Sequence, residues 1–156
     1  MTLDTNSVLM RLRGGLLAIL FLGMAGAAAE LWLAGHTEDL WQWVPLALLG
    51  AGFVIAIWCA AAANAAAIRS LQLVMILFIA SGFAGIALHM RAKMEFKQES
   101  DPSLTGWRLL VGSLESKTPP PLAPAAMIHL GLIGLLYAYR HPALFRARKP
   151  SDVTES

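Results

Sequence analysis

Four apolar runs, each close to the ~20 residues that a helix needs to cross a bilayer, dominate this chain of 156 residues. They cover about residues 14–33, 44–63, 71–90 and 122–139. A segment in lipid has no water to satisfy its backbone N–H and C=O groups, so runs this long can cross only as helices. Composition agrees. Hydrophobic residues make up 57% of the chain and charged residues 14%, against roughly 25% charged in an average soluble domain. That is too apolar for a disordered chain and too sparsely charged to cover a globular surface. The formal net charge of +2 comes from arginines beside the apolar runs rather than from a basic patch, so nucleic acid is not an expected partner. The single cysteine, Cys59, lies inside the second run. It excludes an intrachain disulfide, a CxxC zinc site and a dithiol relay, and reads as a small core hydrophobe.

The expected fold is therefore all-α: an integral membrane protein with four transmembrane helices in one bundle, residues 1–149, followed by a disordered tail, 150–156. Pro45 and Pro124 each fall near the start of a run, where a missing N–H does no harm. Arg11, Arg13, Arg69, Arg140, Arg146, Arg148 and Lys149 fall on one side of the runs. By the positive-inside rule both termini are cytoplasmic. Trp32, Trp41 and Trp43 suit an outer aromatic belt, and Tyr137 and Tyr139 an inner one. Arg11 and Arg13 followed by an apolar stretch and Ala27-Ala28-Ala29 also resemble a signal peptide. The continuing Leu31-Trp32-Leu33 favours an uncleaved first helix. In the long outer link, Arg91, Glu95 and Glu99 have the i, i+4, i+8 spacing of helical ion pairs. Leu104, Trp107, Leu110, Val111 and Leu114 predict a short amphipathic helix in the outer interface. Pro119-Pro120-Pro121 predicts a stiff lead into the fourth run.

Two runs share a motif. The first reads Gly23, Gly26, Glu30 and the third Gly82, Gly85, His89: glycine, three on glycine, four on an ionisable residue. Such spacing places all three on one helix face. Small residues let backbones approach in lipid, so both faces are expected to pack inward, with Glu30 and His89 near the outer ends of parallel helices. The repeat is compatible with duplication of a helical hairpin. An ionisable group inside a span usually has a partner or a task. His129 in the fourth run, and His36, Glu38 and Asp39 in the first outer link, are the other outer-half groups that could join Glu30 and His89.

The chemistry of this cluster admits several readings. Imidazole and carboxylate from Glu30, His36, His89 and His129 are the donor types of a divalent transition-metal site, although no two have a tight motif spacing. His89 and His129 on separate helices could ligate a b-type haem or flank a quinone, but at unequal depths. A proton or solute path lacks polar groups at mid-membrane depth. No nucleophile–base pair, phosphate loop or paired catalytic carboxylates is visible, so no enzyme activity and no resident cofactor are expected. The favoured reading is structural: Glu30 pairs with His89 or Arg91, and the protein is an accessory subunit of a larger membrane assembly. Its partners would be the lipid bilayer and protein subunits, or further copies of itself, through glycine-lined faces.

Glu30-Leu31 with His36, Glu38-Asp39, Gln42 and Pro45, then His89-Met90-Arg91 with Glu95-Phe96 and Glu99, then Pro121-Leu122-Ala123-Pro124, and Gly131 through Tyr139-Arg140-His141-Pro142 form a further pattern. Together they resemble small four-helix bacterial inner-membrane proteins, a group with no assigned activity. The likeness covers about a third of the chain. It implies a bacterial inner membrane and lends no mechanism. His141-Pro142 falls on the side away from the outer cluster and would belong to a second contact region.

Overall fold

The computed structural model describes residues 4–35, 39–115 and 122–146. All regular structure among them is helical: α1 (Thr5–Leu33), α2 (Leu40–Ala62), α3 (Ala65–Ser100), α4 (Gly106–Leu114), α5 (Leu122–Ala138) and α6 (Pro142–Arg146). The tail 150–156, His36 and the proline lead 119–121 lie outside the described residues. Helices α1, α2 and α3 are long and apolar enough to cross a membrane, and α5, with 17 residues, is an apolar helix of lesser length. Leu22, Val54, Phe83 and Leu132 are among many large apolar side chains exposed around the outside of the bundle. An apolar exterior of this extent fits contact with lipid.

The turns explain where the helices stop. α1 ends on Gly35 at φ +68°, whose N–H bonds the Trp32 carbonyl at 3.1 Å while the Ala34 N–H bonds that of Glu30 at 2.9 Å. This left-handed cap suits glycine. α2 turns into α3 through two residues. Ala63 takes the left-handed conformation (φ 41°, ψ 39°), and the Asn64 side chain caps α3 by accepting the Ala67 N–H at 2.8 Å. So the third apolar helix starts at Ala65, not near residue 71, and Arg69 lies inside it rather than in a link. The second starts at Leu40, which puts Pro45 inside the helix instead of in its first turn. The Trp41 carbonyl therefore lacks its usual i+4 donor.

The long helices form a ring in the order α1, α2, α3, α5, in which each contacts its two neighbours. α1 and α3 stand on one diagonal. The α3–α5 contact is the most extensive, and it is made by glycine on both sides. A Cβ on Gly82 would lie 2.6 Å from the Pro124 carbonyl oxygen, and one on Gly131 would lie 2.7 Å from that of Met75. Gly85 rests on the Pro124 ring and Gly134 on the Met75 side chain. Rising α5 numbers pair with falling α3 numbers, so the two helices are antiparallel. Leu20, Met24, Leu49, Ile68, Leu71, Met75, Phe78 and Met127 fill the core, each 2% exposed or less. Phe78 and Met24 pack where a Cβ on Gly52 would go. α3 then runs on past the bundle to Ser100 and carries α4 on this extension. α4 turns Leu109 and Ser113 inward and leaves Trp107 and Leu114, two of the apolar residues expected to face the outer interface, exposed. The Ser113 hydroxyl is satisfied by donating to the Leu109 carbonyl at 2.7 Å.

Gly→Ala in a helix gains about 1 kcal/mol of propensity, whereas overpacking costs ~1–3 kcal/mol. Gly82→Ala and Gly131→Ala, whose new methyl groups meet backbone, should each lower the thermal midpoint in detergent. Gly26→Ala, with nothing within 4 Å, should leave it unchanged or raise it. Ala63→Gly should raise it as well, through a stability gain of roughly 0.5–1 kcal/mol, because glycine removes the left-handed strain of ~1–2 kcal/mol but adds unfolded-state entropy.

Candidate functional site

The inward stripe of α1 is Leu20, Met24, Ala27 and Leu31, all buried. At ~100° per residue, Gly23, Gly26 and Glu30 lie about a quarter turn to one side of it. Gly23 meets Leu130 of α5, a Cβ on Gly26 would meet nothing within 4 Å among the described residues, and Glu30 is exposed. On α3 the same spacing falls on the buried stripe of Leu71, Val74, Phe78 and Gly82, and His89 is half-buried. The two matching motifs are thus used differently: one is lateral, the other inward.

Beyond Gly85 the helices leave a cleft of about 490 Å³. α3 supplies Ser81, Ala84, Leu88, His89 and Ala92, and α5 supplies Ala123, Pro124 and Met127. α2 adds Trp41, Gln42, Val44 and Pro45, with Asp39 before it, and Leu31 of α1 closes the floor. Its volume is that of a small-ligand site, ~300–1,000 Å³. The wall is mostly apolar, with Asp39, Gln42, Ser81 and His89 as its polar groups. Pro45 lines the cleft, and as a proline it leaves the carbonyl of Trp41, another lining residue, without its usual i+4 donor.

Of the groups expected to gather here, His89 lines the cleft and Glu30 does not. His129 is exposed on α5, roughly opposite the buried side of Met127, Leu130 and Gly134. Its Nδ1 donates to the Ala125 carbonyl at 2.7 Å. His36 lies outside the described residues. Among the described residues no three His, Cys, Asp or Glu side chains stand close enough to share a metal ion. Arg91 and Glu95 form the expected i, i+4 ion pair at 2.8 Å, well exposed on the α3 extension, where such pairs are worth little. Glu99 is exposed one turn further on. Ser81 was legible in principle. Ser81, Gly85 and His89 repeat at i, i+4, i+8, and a serine on an inward stripe is a signal of its own. Trp32 and Trp41 are exposed near the cleft end.

The opposite end explains His141-Pro142. The buried imidazole packs on Tyr137 with ring centroids 5.5 Å apart, and its Nδ1 accepts the Ala143 N–H at 3.3 Å. His141 is therefore the N-cap of α6, and Pro142 occupies the first helical position, where proline is favoured. α6 packs back against α3. Arg13 donates to the Arg140 carbonyl at 3.1 Å and ties α1 to this turn. Tyr137 is buried here, so of the two tyrosines expected in the inner belt Tyr139 is the exposed one. Burial, and then the nearby Arg13 charge, hold the His141 pKa below its ordinary value of 6.5.

Compared with known proteins, the chain matches no family model, no curated sequence and no solved structure.

A protonated Nδ1 cannot accept the Ala143 N–H. With the folded pKa depressed, the unfolded chain binds the proton first, so the contribution of His141 is complete above about pH 6.5 and declines as pH falls below it. Thermal melts between pH 7.5 and 5 should show this decline. His141→Asn should remove the His141 component while keeping the cap, and His141→Ala should cost about 1 kcal/mol at neutral pH.

Proposed function

We propose that the protein is a non-enzymatic multi-pass membrane protein that serves as an accessory or structural component of a larger assembly. In this reading α5 is a fourth span. Its ~25 Å at 1.5 Å per residue lies antiparallel to α3 along the bundle, and Pro124 sits harmlessly in its first turn. Arg11, Arg13, Arg69 and Arg140 belong to one end of the bundle, which supports cytoplasmic termini in a bacterial inner membrane. α4, with Trp107 and Leu114 exposed, suits the outer interface.

The observation that carries the assembly reading is Glu30. It is exposed in the last turn of α1, one turn beyond a glycine whose added Cβ would meet nothing within 4 Å among the described residues. A carboxylate on the lateral surface of a span is costly facing lipid and favourable facing a partner. Gly26 is where a second helix can approach closely. The partner is another membrane subunit or another copy of this chain.

Crosslinking and native mass in a mild detergent test this. Gly26→Leu and Glu30→Gln should each reduce the assembled fraction several-fold while the monomer keeps its melting point. Unchanged assembly in both variants would sink the proposal. Elemental analysis and an absorption spectrum on protein purified without chelator address the alternative chemistry. A stoichiometric transition metal or a Soret band, lost in His89→Ala, would replace the accessory reading with a cofactor-binding one.

A further inference from the structure

At the end of the bundle away from the cleft, the fold brings together two arginines that lie 127 residues apart in the chain. Arg13 of α1, half-buried, donates from Nη2 to the Arg140 carbonyl at 3.1 Å. The Arg140 side chain is exposed, its Cζ 6.0 Å from the centre of the Tyr139 ring. A carbonyl and an aromatic face orient these guanidinium groups, but neither contact neutralises them.

The backbone gives this corner a second peculiarity. Arg140 follows α5 with φ at 47°. That is the left-handed position that ends many helices, and it is usually given to glycine, because a Cβ makes the conformation costly. The turn would form more easily with glycine, yet it holds a cation. A conformation kept at a cost points to a task for the side chain.

The surrounding charge and surface define that task. Among the described residues, Asp4 is the carboxylate at this end. It caps α1 by accepting the Asn6 N–H and stands about 13 Å before Arg13 along the helix. Against it are Arg11, Arg13, Arg69 and Arg140. The sequence after α6 adds Arg148 and Lys149 against Asp152 and Glu155, so the sign does not change. The charge of Arg13 also reaches the neighbouring His141, where it adds to burial in holding the pKa down. On α5 the exposed Leu132, Leu136 and Tyr139 share one face, and this apolar stripe runs straight into the corner. Phe145 is exposed on α6 just beyond it. A guanidinium fork suits phosphate oxygens, and aromatic rings suit the depth of lipid head groups.

We propose that this corner binds the head group of an acidic phospholipid, its phosphate between Arg13 and Arg140 and its chains along the Leu132–Leu136–Tyr139 stripe. The proposal rests on the membrane reading of the bundle and is independent of any partner subunit.

The test uses the full chain in non-ionic detergent and two fluorescent lipids with the same acyl chains, phosphatidylglycerol and phosphatidylcholine, followed by anisotropy. Phosphatidylglycerol should bind about tenfold more tightly. In Arg13→Gln/Arg140→Gln that preference should collapse to about one. Arg140→Gly should raise the thermal midpoint without lipid, by removing the left-handed strain, and still cut the preference several-fold. Arg11→Gln removes a cation at the same end but about 200° round α1 from Arg13, and should leave the preference intact. Glu30→Gln should also leave it intact even where it disrupts assembly, so the two proposals fail separately. Equal affinity of the wild type for both lipids, or a preference that survives the double variant, would overturn the inference. So would an equal loss in Arg11→Gln, which would mean diffuse attraction rather than a site. Full displacement of phosphatidylglycerol by inorganic phosphate would overturn it as well, because the site would then need no chain. If the double variant does not fold, Arg140→Gly decides alone.

Discussion

The close approach of α3 and α5 holds this bundle in register. Lipid tails are as apolar as the side chains between these helices, so burial from lipid drives little association, and van der Waals contact must do the work. Such contact needs surfaces without protrusions. Gly82 and Gly85 on one helix, and Gly131 and Gly134 on the other, provide them. Backbone then meets backbone at Pro124 and Met75. The remaining contacts, Phe78 over Gly52 and Gly23 under Leu130, extend this seam around the ring.

The candidate site follows from where the seam stops. Past Gly85 no further glycine on α3 keeps α5 close. The side chains of α2, α3 and α5 leave a cleft whose polar groups, His89, Gln42, Ser81 and Asp39, come from two helices and a turn. The end of α2 is shaped by Pro45, which interrupts the hydrogen-bond ladder at Trp41. The same α3 stripe that packs against α5 in the middle of the bundle lines a cavity at its end. One helix face thus serves first for cohesion and then for access. At the other end the chain is closed by hydrogen bonds, Arg13 to the Arg140 carbonyl and Ala143 to the His141 ring.

The comparison of α1 with α3 shows how far a linear motif reaches. Glycine, glycine and an ionisable residue at i, i+3, i+7 place three residues on one face of either helix. That deduction holds, but the motif says nothing about which way the face points. In α3 it coincides with the large buried stripe through Phe78, whereas in α1 the stripe through Met24 and Leu31 lies a quarter turn away. The expected Glu30–His89 pairing failed on that rotation, and also because α1 and α3 stand on a diagonal of the ring. His129, expected to be able to join the cluster, is exposed on the far side of α5 from the buried Met127, Leu130 and Gly134. In α4 the spacing marks Trp107 and Leu114, which the fold leaves exposed, whereas the face against the protein includes Ser113, buried with its hydroxyl donating to the Leu109 carbonyl.

By itself the sequence determined the all-helical class, the apolar helices of membrane length, the exclusion of an intrachain disulfide among these residues, and the Arg91–Glu95 pair. Each depends on composition or on spacings within one helix, which chain geometry converts directly into structure. Only the tertiary structure decided that Gly131 and Gly134 answer Gly82 and Gly85, that Glu30 is lateral, and that His89 joins Gln42 and Ser81 around a cleft. It alone also showed His141 to be a helix cap. These depend on the rotation of each helix about its own axis and on which helices are neighbours. In lipid neither is dictated by hydrophobic periodicity, because the outside of the bundle is as apolar as its core.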